Sequence, residues 1–309
     1  MAVITSALLN SLRTGFSAAF QRGKTKAAPM WDKVATLIPS TAAQNTYGWL
    51  GQFPKLREWV GDRVFKDMKE HGYAISNKLY EGTVGVSRTS VEDDALGIYT
   101  PLFEEMGYGA ATHPDELVWP LLANGHARTC FDGQNFFDTD HPVYPNVDGT
   151  GEAMLVSNNL VPGANPGAAW FLLDVSRPLK PLIFQERTKP ELQMISNPDN
   201  DHVFMKDEIP YGVRYRCNAG YGFWQMAVRS QHPLTADNFE AALVALQTMK
   251  ADGGRPLGLG SGGKASTLLV VPPTLNGAAR GVVGVSELPG GGTNKWFDAA
   301  TVVPVAWLG

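Results

Sequence analysis

Two cysteines, Cys130 and Cys217, are all that the 309 residues contain, and no second Cys flanks either one. So few thiols exclude a disulfide framework and the paired spacings of zinc sites. The pair reads as buried free thiols in a reducing compartment, with a single bridge between them left open. Long apolar runs are missing too: none approaches the ~18 residues that span a bilayer. Positive charge is not in excess either. The 26 basic and 30 acidic side chains leave a net charge of −4, which argues against holding nucleic acid by charge, because phosphates are neutralised by a concentrated basic surface. There is no internal repeat. What remains is 44% hydrophobic and 18% charged, a globular balance that excludes disorder. A chain of this length buries a sizeable core, as one large domain or as two to three small ones.

Glycine and proline, by contrast, are plentiful at 33 and 21 residues, and they mark many turns. The most distinctive stretch is 45–63, NTYGWLGQFPKLREWVGDR, where Tyr47, Trp49, Phe53 and Trp59 sit among Lys55, Arg57, Glu58, Asp62 and Arg63. It keeps neither the alternation of a strand nor the period of a helix. Gly48, Gly51, Gly61 and Pro54 break it into short pieces. Aromatics and arginine mixed in this way are the composition of a contact surface. The competing reading is a local turn whose rings fold back onto the domain's own core.

The first residues lack the basic leader of a signal peptide. Leu8, Leu12, Phe16 and Phe20 instead fall at steps of four, one face of a helix. With GKTKAAP behind it, this helix reads as an arm outside the main body. Its apolar stripe must dock on something, a neighbouring subunit being one option. Residues 72–88 read as extended chain, so that 47–88 forms one long charged hairpin or loop. A helix follows, with Ser90 as N-cap, Glu92, Asp93 and Asp94 in its first turn, and Leu96, Tyr99, Phe103, Met106 and Ala110 on one face. Pro101 should bend or restart it, and His113-Pro114 should end or kink it. Residues 132–151 read as loop and 170–228 as a strand-rich block. Thr235 caps a second helix carrying Phe239, Leu243, Leu246 and Met249 on one face. A glycine-rich turn, the strand TLLVV, a short helix in PPTLNGAARGVV and a last strand in TVVPVAWLG complete the chain. Strands and helices without regular alternation indicate an α+β fold.

Three arrangements could carry chemistry. GLGSGGKA at 258–265 satisfies G-x-x-x-x-G-K, but Ala265 stands where a phosphate-binding loop requires Ser or Thr. The loop also leaves a helix and enters a strand, the reverse of what aims a helix N-terminus at phosphate. Asp132, Asp138, Asp140 and His141 crowd together without the steps of a hard-cation loop, and Asp138 and Asp140 before His-Pro read more simply as capped turns. Six histidines and two cysteines invite a triad, yet no G-x-S-x-G elbow is placed to serve one. An acid–base pair is not indicated.

Five segments, in order, closely resemble the major head subunits of Mu-like bacteriophages: NTYGWLGQFPKLREWVGDR, GYAISNKLYEGTVGVSR, DDALGIYTPLFEEMG, DGQNFFDTDHPVYPNVDGTG and AGYGFWQMAV. The resemblance runs over about 45–228 and resumes at LLVVPPTLNGAA. It implies the Hong-Kong-97-type (Johnson) capsid fold: an arm at 1–44, an extended loop at 45–89, and a peripheral domain with spine helix and strands at 90–234. An axial domain at 235–290 and a C-terminal strand at 291–309 would follow. It implies a non-enzymatic major capsid protein, without cofactor or metal, that self-assembles from hexamers and pentamers into the icosahedral shell around the DNA. Assembly would occur in the host cytoplasm, with scaffold, protease and portal proteins as partners, and without membrane or sequence-specific nucleic-acid binding. Trp49 and Trp59 would then anchor contacts between subunits, with Arg57, Glu58 and Arg63 pairing across them. The alternatives are another self-associating virion component, such as a tail-tube or decoration protein, and a phosphate-binding enzyme.

Overall fold

The computed structural model describes residues 6–51, 53, 72–92, 95–147, 149–195, 201–288 and 290–309. The first helix, Ser6–Lys26, buries Leu9, Leu12, Phe16 and Phe20. Leu12, Phe16 and Phe20 of the expected stripe thus dock within the chain, while the Leu8 side chain lies outside those described. The Phe16 ring stacks on Phe103 of the long helix Thr100–Ala123 at 4.2 Å and meets Tyr211 edge-on at 5.3 Å. Together with Val86, Val91 and Ile209 these side chains form a second apolar cluster beside the main core. The two helices cross at Gly23 and Gly107, where a methyl group would lie 1.8 Å from the Glu104 carbonyl oxygen and 2.0 Å from that of Phe20.

The long helix departs from expectation at both ends. Ser90 lies inside a separate short helix, Arg88–Glu92, and accepts a hydrogen bond from the Tyr99 hydroxyl at 3.1 Å instead of capping. Pro101 restarts the chain as helix, because a first turn needs no amide hydrogen there. His113-Pro114 does not end it: the helix continues through Pro114 and Pro120 to Ala123. The reason is tertiary. Val118, Trp119, Leu121 and Leu122 are buried, and several such side chains at about 1.5–3 kcal/mol each outweigh about 3 kcal/mol for an interior proline. The Asp115 carboxylate adds a tie, accepting from the Met30 amide and from Trp119 Nε1, both at 3.0 Å.

Two sheets share the main core. The first has the order Ala35–Pro39, Leu182–Met194, Glu208–Tyr221, Lys78–Ser87. The second has the order Thr301–Pro304, Thr267–Val271, Trp170–Asp174, Ala227–Ser230, Asn159–Leu160. Trp170–Asp174 and Thr267–Val271 are buried at every position, which is why they read as unbroken apolar runs. The strand-rich block at 170–228 is therefore not one sheet, and its outer strands join the second sheet. A boundary at 234/235 would cut through that sheet, since Trp170–Asp174 pairs with Thr267–Val271. Likewise Ala35–Pro39, expected in an arm, pairs in parallel with Leu182–Met194. These partners lie far apart in sequence, and local pattern carries no information about them.

The helices Ala236–Gln247 and Asn276–Val283 pack on the second sheet. Thr235 caps the former as expected, its Oγ1 accepting from the Asn238 amide at 3.3 Å. Thr235→Ala should cost about 1 kcal/mol, read as a lowered urea midpoint with an unchanged slope.

Candidate assembly surface and a buried aspartate–histidine–cysteine cluster

The aromatic segment enters along strand Gln44–Thr46, paired antiparallel with Ala74–Ser76. Tyr47 is buried and donates its hydroxyl to Gln185 Oε1 at 2.6 Å. Burial pushes its pKa up, against the Asn45 contact, so the hydroxyl stays a neutral donor. Leu50 is fully buried. Gly51 has φ +85°, and a side chain there would meet the Phe131 ring at 2.8 Å, a position only glycine fits. Phe53 packs on Phe223 at 4.4 Å, under the Arg177 guanidinium at 5.3 Å. Trp49 is half-buried between Tyr47 at 5.8 Å and Phe223 at 6.1 Å. Up to Phe53, then, the rings fold back onto the chain's own core, and Trp49 keeps part of its surface in solvent. Arg57, Glu58, Trp59 and Arg63 lie outside the described residues.

Elsewhere the surface carries apolar side chains that the described residues do not cover. Met154 and Leu155, on a strand paired with His141–Val143, are 62% and 64% exposed, and Val147 is 64% exposed. Such side chains clustered together mark a surface suited to contact with another molecule.

The glycine-rich loop is not built for phosphate. Its Gly260 amide donates to the buried Asp174 carboxylate at 2.7 Å, and Lys264 pairs with Asp298 at 2.6 Å. A carboxylate occupies the amide that an anion would need. The Asp-rich loop divides in two. Asp138 forms the expected capped turn, accepting from the amides of Asn135 at 3.2 Å and Thr139 at 2.7 Å, while Asp140 is exposed. Asp132 and His141 do come together, and Cys130, set apart as a lone thiol in the sequence, joins them within 4.8 Å. The one signal for it was a C-x-D with a histidine nine residues on, inside a loop dense in turn formers.

The geometry of this cluster is a closed set of hydrogen bonds. Asp132 accepts from His141 Nδ1 at 2.7 Å, from the Cys130 thiol at 3.0 Å and from the Gln134 amide at 3.1 Å. The His141 ring stacks on Trp224 at 3.9 Å, and its Nε2 is buried without a partner among the described residues. A proton on Nδ1 leaves Nε2 as a bare acceptor, which costs less there than a buried N–H. Burial and the Asp132 charge push the Cys130 thiol up, and burial pushes Cys217 to about 12. Both are free, buried and held as thiols, which makes them inert. Among the described residues no helix is long and apolar enough to cross a membrane.

Comparison with known proteins places this geometry. The family model described as Mu-like prophage major head subunit gpT matches residues 9–308. The major capsid protein of Escherichia phage Mu is 50% identical over 277 residues, covering 90% of this chain and 89% of that protein. The Mu-like prophage FluMu major head subunit of Haemophilus influenzae is 46% identical over 281 residues, with the same coverages of 90% and 89%. Among solved structures, a chain of the bacteriophage JBD30 procapsid superposes with a TM-score of 0.88 at 57% identity, covering 98% of this chain and 100% of that one. A chain of the JBD30 capsid does so with a TM-score of 0.77 at 41% identity over the whole of both. The mixed α and β architecture is thus that of a phage capsid protein, a structural component of the virion and not an enzyme. Within that class the chain belongs to the Mu-like major head subunit family.

Proposed function

We propose that this chain builds a Hong-Kong-97-type icosahedral shell from hexamers and pentamers of itself, assembled in the host cytoplasm around or ahead of the DNA. The observation that carries this is the similarity to the JBD30 procapsid chain over essentially the full length of both. The first sheet with the long helix fits the role of peripheral body. The second sheet, with Ala236–Gln247 and Asn276–Val283, fits that of axial body. Heterologous contacts that close on themselves make such rings. A scaffold, a protease and a portal would be its partners, and the JBD30 capsid decorated with minor capsid protein trimers suggests a decoration protein as a further one.

In this reading Trp49 and Trp59 anchor contacts between copies, while Arg57, Glu58 and Arg63 pair across them. Many modest contacts of this kind add up to a stable closed shell. Trp59→Ala should give a folded subunit that assembles poorly. Negative-stain electron microscopy of the purified protein checks it: rings and shells from the wild type, few from the variant. Normal shells from the variant remove Trp59 from the contact, and an unfolded variant assigns it to the subunit's own core.

A further inference from the structure

A groove of about 620 Å³ opens where the strand Met154–Val156 faces the chain that leaves the helix Ala236–Gln247. Val143, Met154, Leu155 and Pro256 line it, with Thr248 and Lys250 among its polar residues. A space of this size is typical of sites that take up another molecule. Met154 and Leu155 remain 62% and 64% exposed beside it.

A matching projection stands at the other end of the same helix. Residues 284–297 follow the helix Asn276–Val283 and turn back on themselves. The Asn294 amide donates to the Ser286 carbonyl at 2.9 Å, and the Leu288 amide to that of Gly292 at 2.7 Å. Gly290 and Gly291 have φ of +109° and +88°, a conformation that glycine adopts without strain. A methyl group on either, or on Gly292, would meet nothing within 4 Å among the described residues, so the tip stands clear of them. Its base is braced: Trp296 meets Phe239 edge-on at 5.6 Å, and Lys295 pairs with Glu240 at 2.7 Å. Yet Val285, Leu288 and Phe297 are 38%, 43% and 47% exposed. A braced loop that holds apolar side chains in solvent is preorganised for contact, since binding need not order it.

One surface is recessed and the other projects; both are apolar, and their charges are opposite. Lys250 at the groove and Glu287 beside Leu288 are exposed, and neither has an ion pair among the described residues. A closed ring of copies needs two different surfaces on every subunit, one for each neighbour. Here the two lie at opposite ends of one helix, with the projection braced at Phe239 and Glu240 and the groove reached at Gln247 and Thr248. We infer that the 284–297 projection of one copy docks in this groove of the next. Leu288 enters the apolar space, and Glu287 meets Lys250 and sets the register. The inference rests on the shell reading above.

Truncating each apolar side and reversing the charges tests it. Leu288→Ser and Leu155→Ser alter exposed side chains, so the unassembled variants should melt at the wild-type temperature. Each should nevertheless cut the yield of rings and shells in negative stain roughly tenfold, the effect of removing one anchor. Combining them should lose little more than either alone, since both break one contact. Lys250→Glu and Glu287→Lys should each lower the yield roughly threefold or more by bringing like charges together, and the double reversal should restore it. Wild-type yield from either serine variant, or a double reversal that yields no more than the single ones, overturns this docking while leaving the shell reading intact. So does a lowered melting temperature in either serine variant, which would give that side chain a role within its own subunit. Failure of the wild type to form rings or shells overturns the shell reading itself.

Discussion

Gly107→Ala should destabilise the subunit by about 1–3 kcal/mol, the usual cost of forcing extra atoms into a filled space. The added methyl group would lie 2.0 Å from the Phe20 carbonyl oxygen and 2.9 Å from its carbon. These are backbone atoms, so no change of rotamer relieves the clash, and the first helix must move off the long helix. That motion strips cover from Phe16, Phe103 and Tyr211, the aromatic centre of the second cluster. Gly23→Ala attacks the same crossing from the other side, at 1.8 Å from the Glu104 carbonyl oxygen. The double variant should therefore cost less than the sum of the two. Gly15, in the same first helix, has nothing within 4 Å, and Gly15→Ala should be neutral or stabilise by up to about 1 kcal/mol. Urea unfolding gives the energies, and limited proteolysis within residues 6–26 reports undocking. If Gly107→Ala and Gly15→Ala behave alike, the crossing is looser than described.

Asp132→Ala should be the most damaging single change in the loop after the long helix, at about 3–5 kcal/mol. It would orphan His141 Nδ1, the Cys130 thiol and the Gln134 amide together, in a place where the His141 side chain is 0% and the Asp132 side chain 8% exposed. Buried donors left unpaired carry the full desolvation penalty. Burial alone would raise the Asp132 pKa. The hydrogen bonds from His141, Cys130 and Gln134 outweigh burial and hold it below the ordinary carboxylate range. The sign follows: a carboxylate depressed in the folded state contributes stability above its unfolded pKa of about 4, and that contribution is lost as pH falls through the folded value. Asp132→Asn should remove this part of the acid limb. Asp115 acts in the opposite direction, because burial raises its pKa against bonds from Met30 and Trp119. Its favourable contribution belongs to low pH, so the Asp132 effect is read as the difference between variant and wild-type curves from pH 7 downward. Coincident curves after subtraction of a constant would sink the assignment.

Local features were legible in the sequence wherever their cause was local. Thr235 caps the helix that follows because the acceptor and the amide it satisfies are three residues apart. Leu12, Phe16 and Phe20 form one buried face because side chains four apart share a helix surface. TLLVV is a fully buried strand because a run apolar on both faces has no side left for water. The resemblance to Mu-like head subunits was likewise legible, since it rests on long and unusual strings.

Where local pattern and tertiary packing disagreed, packing decided. Pro114 and Pro120 do not interrupt the long helix, because burial of Val118, Trp119 and Leu122 in the main core outweighs what proline removes. In the described part of 45–53 the fold-back reading holds: Tyr47 turns onto Gln185, Phe53 onto Phe223, and Leu50 is buried in the main core. Cys130, Asp132 and His141 meet only because turns across 132–139 bring the last back beside the first two. The sequence by itself determined most of the elements, the Thr235 cap, the apolar faces and the family. Only the tertiary structure decided which strands share a sheet, what covers the first helix, and which glycines are required by this chain. Those outcomes depend on pairs of residues tens to hundreds of positions apart, whose contact energies exist only once the chain has closed on itself.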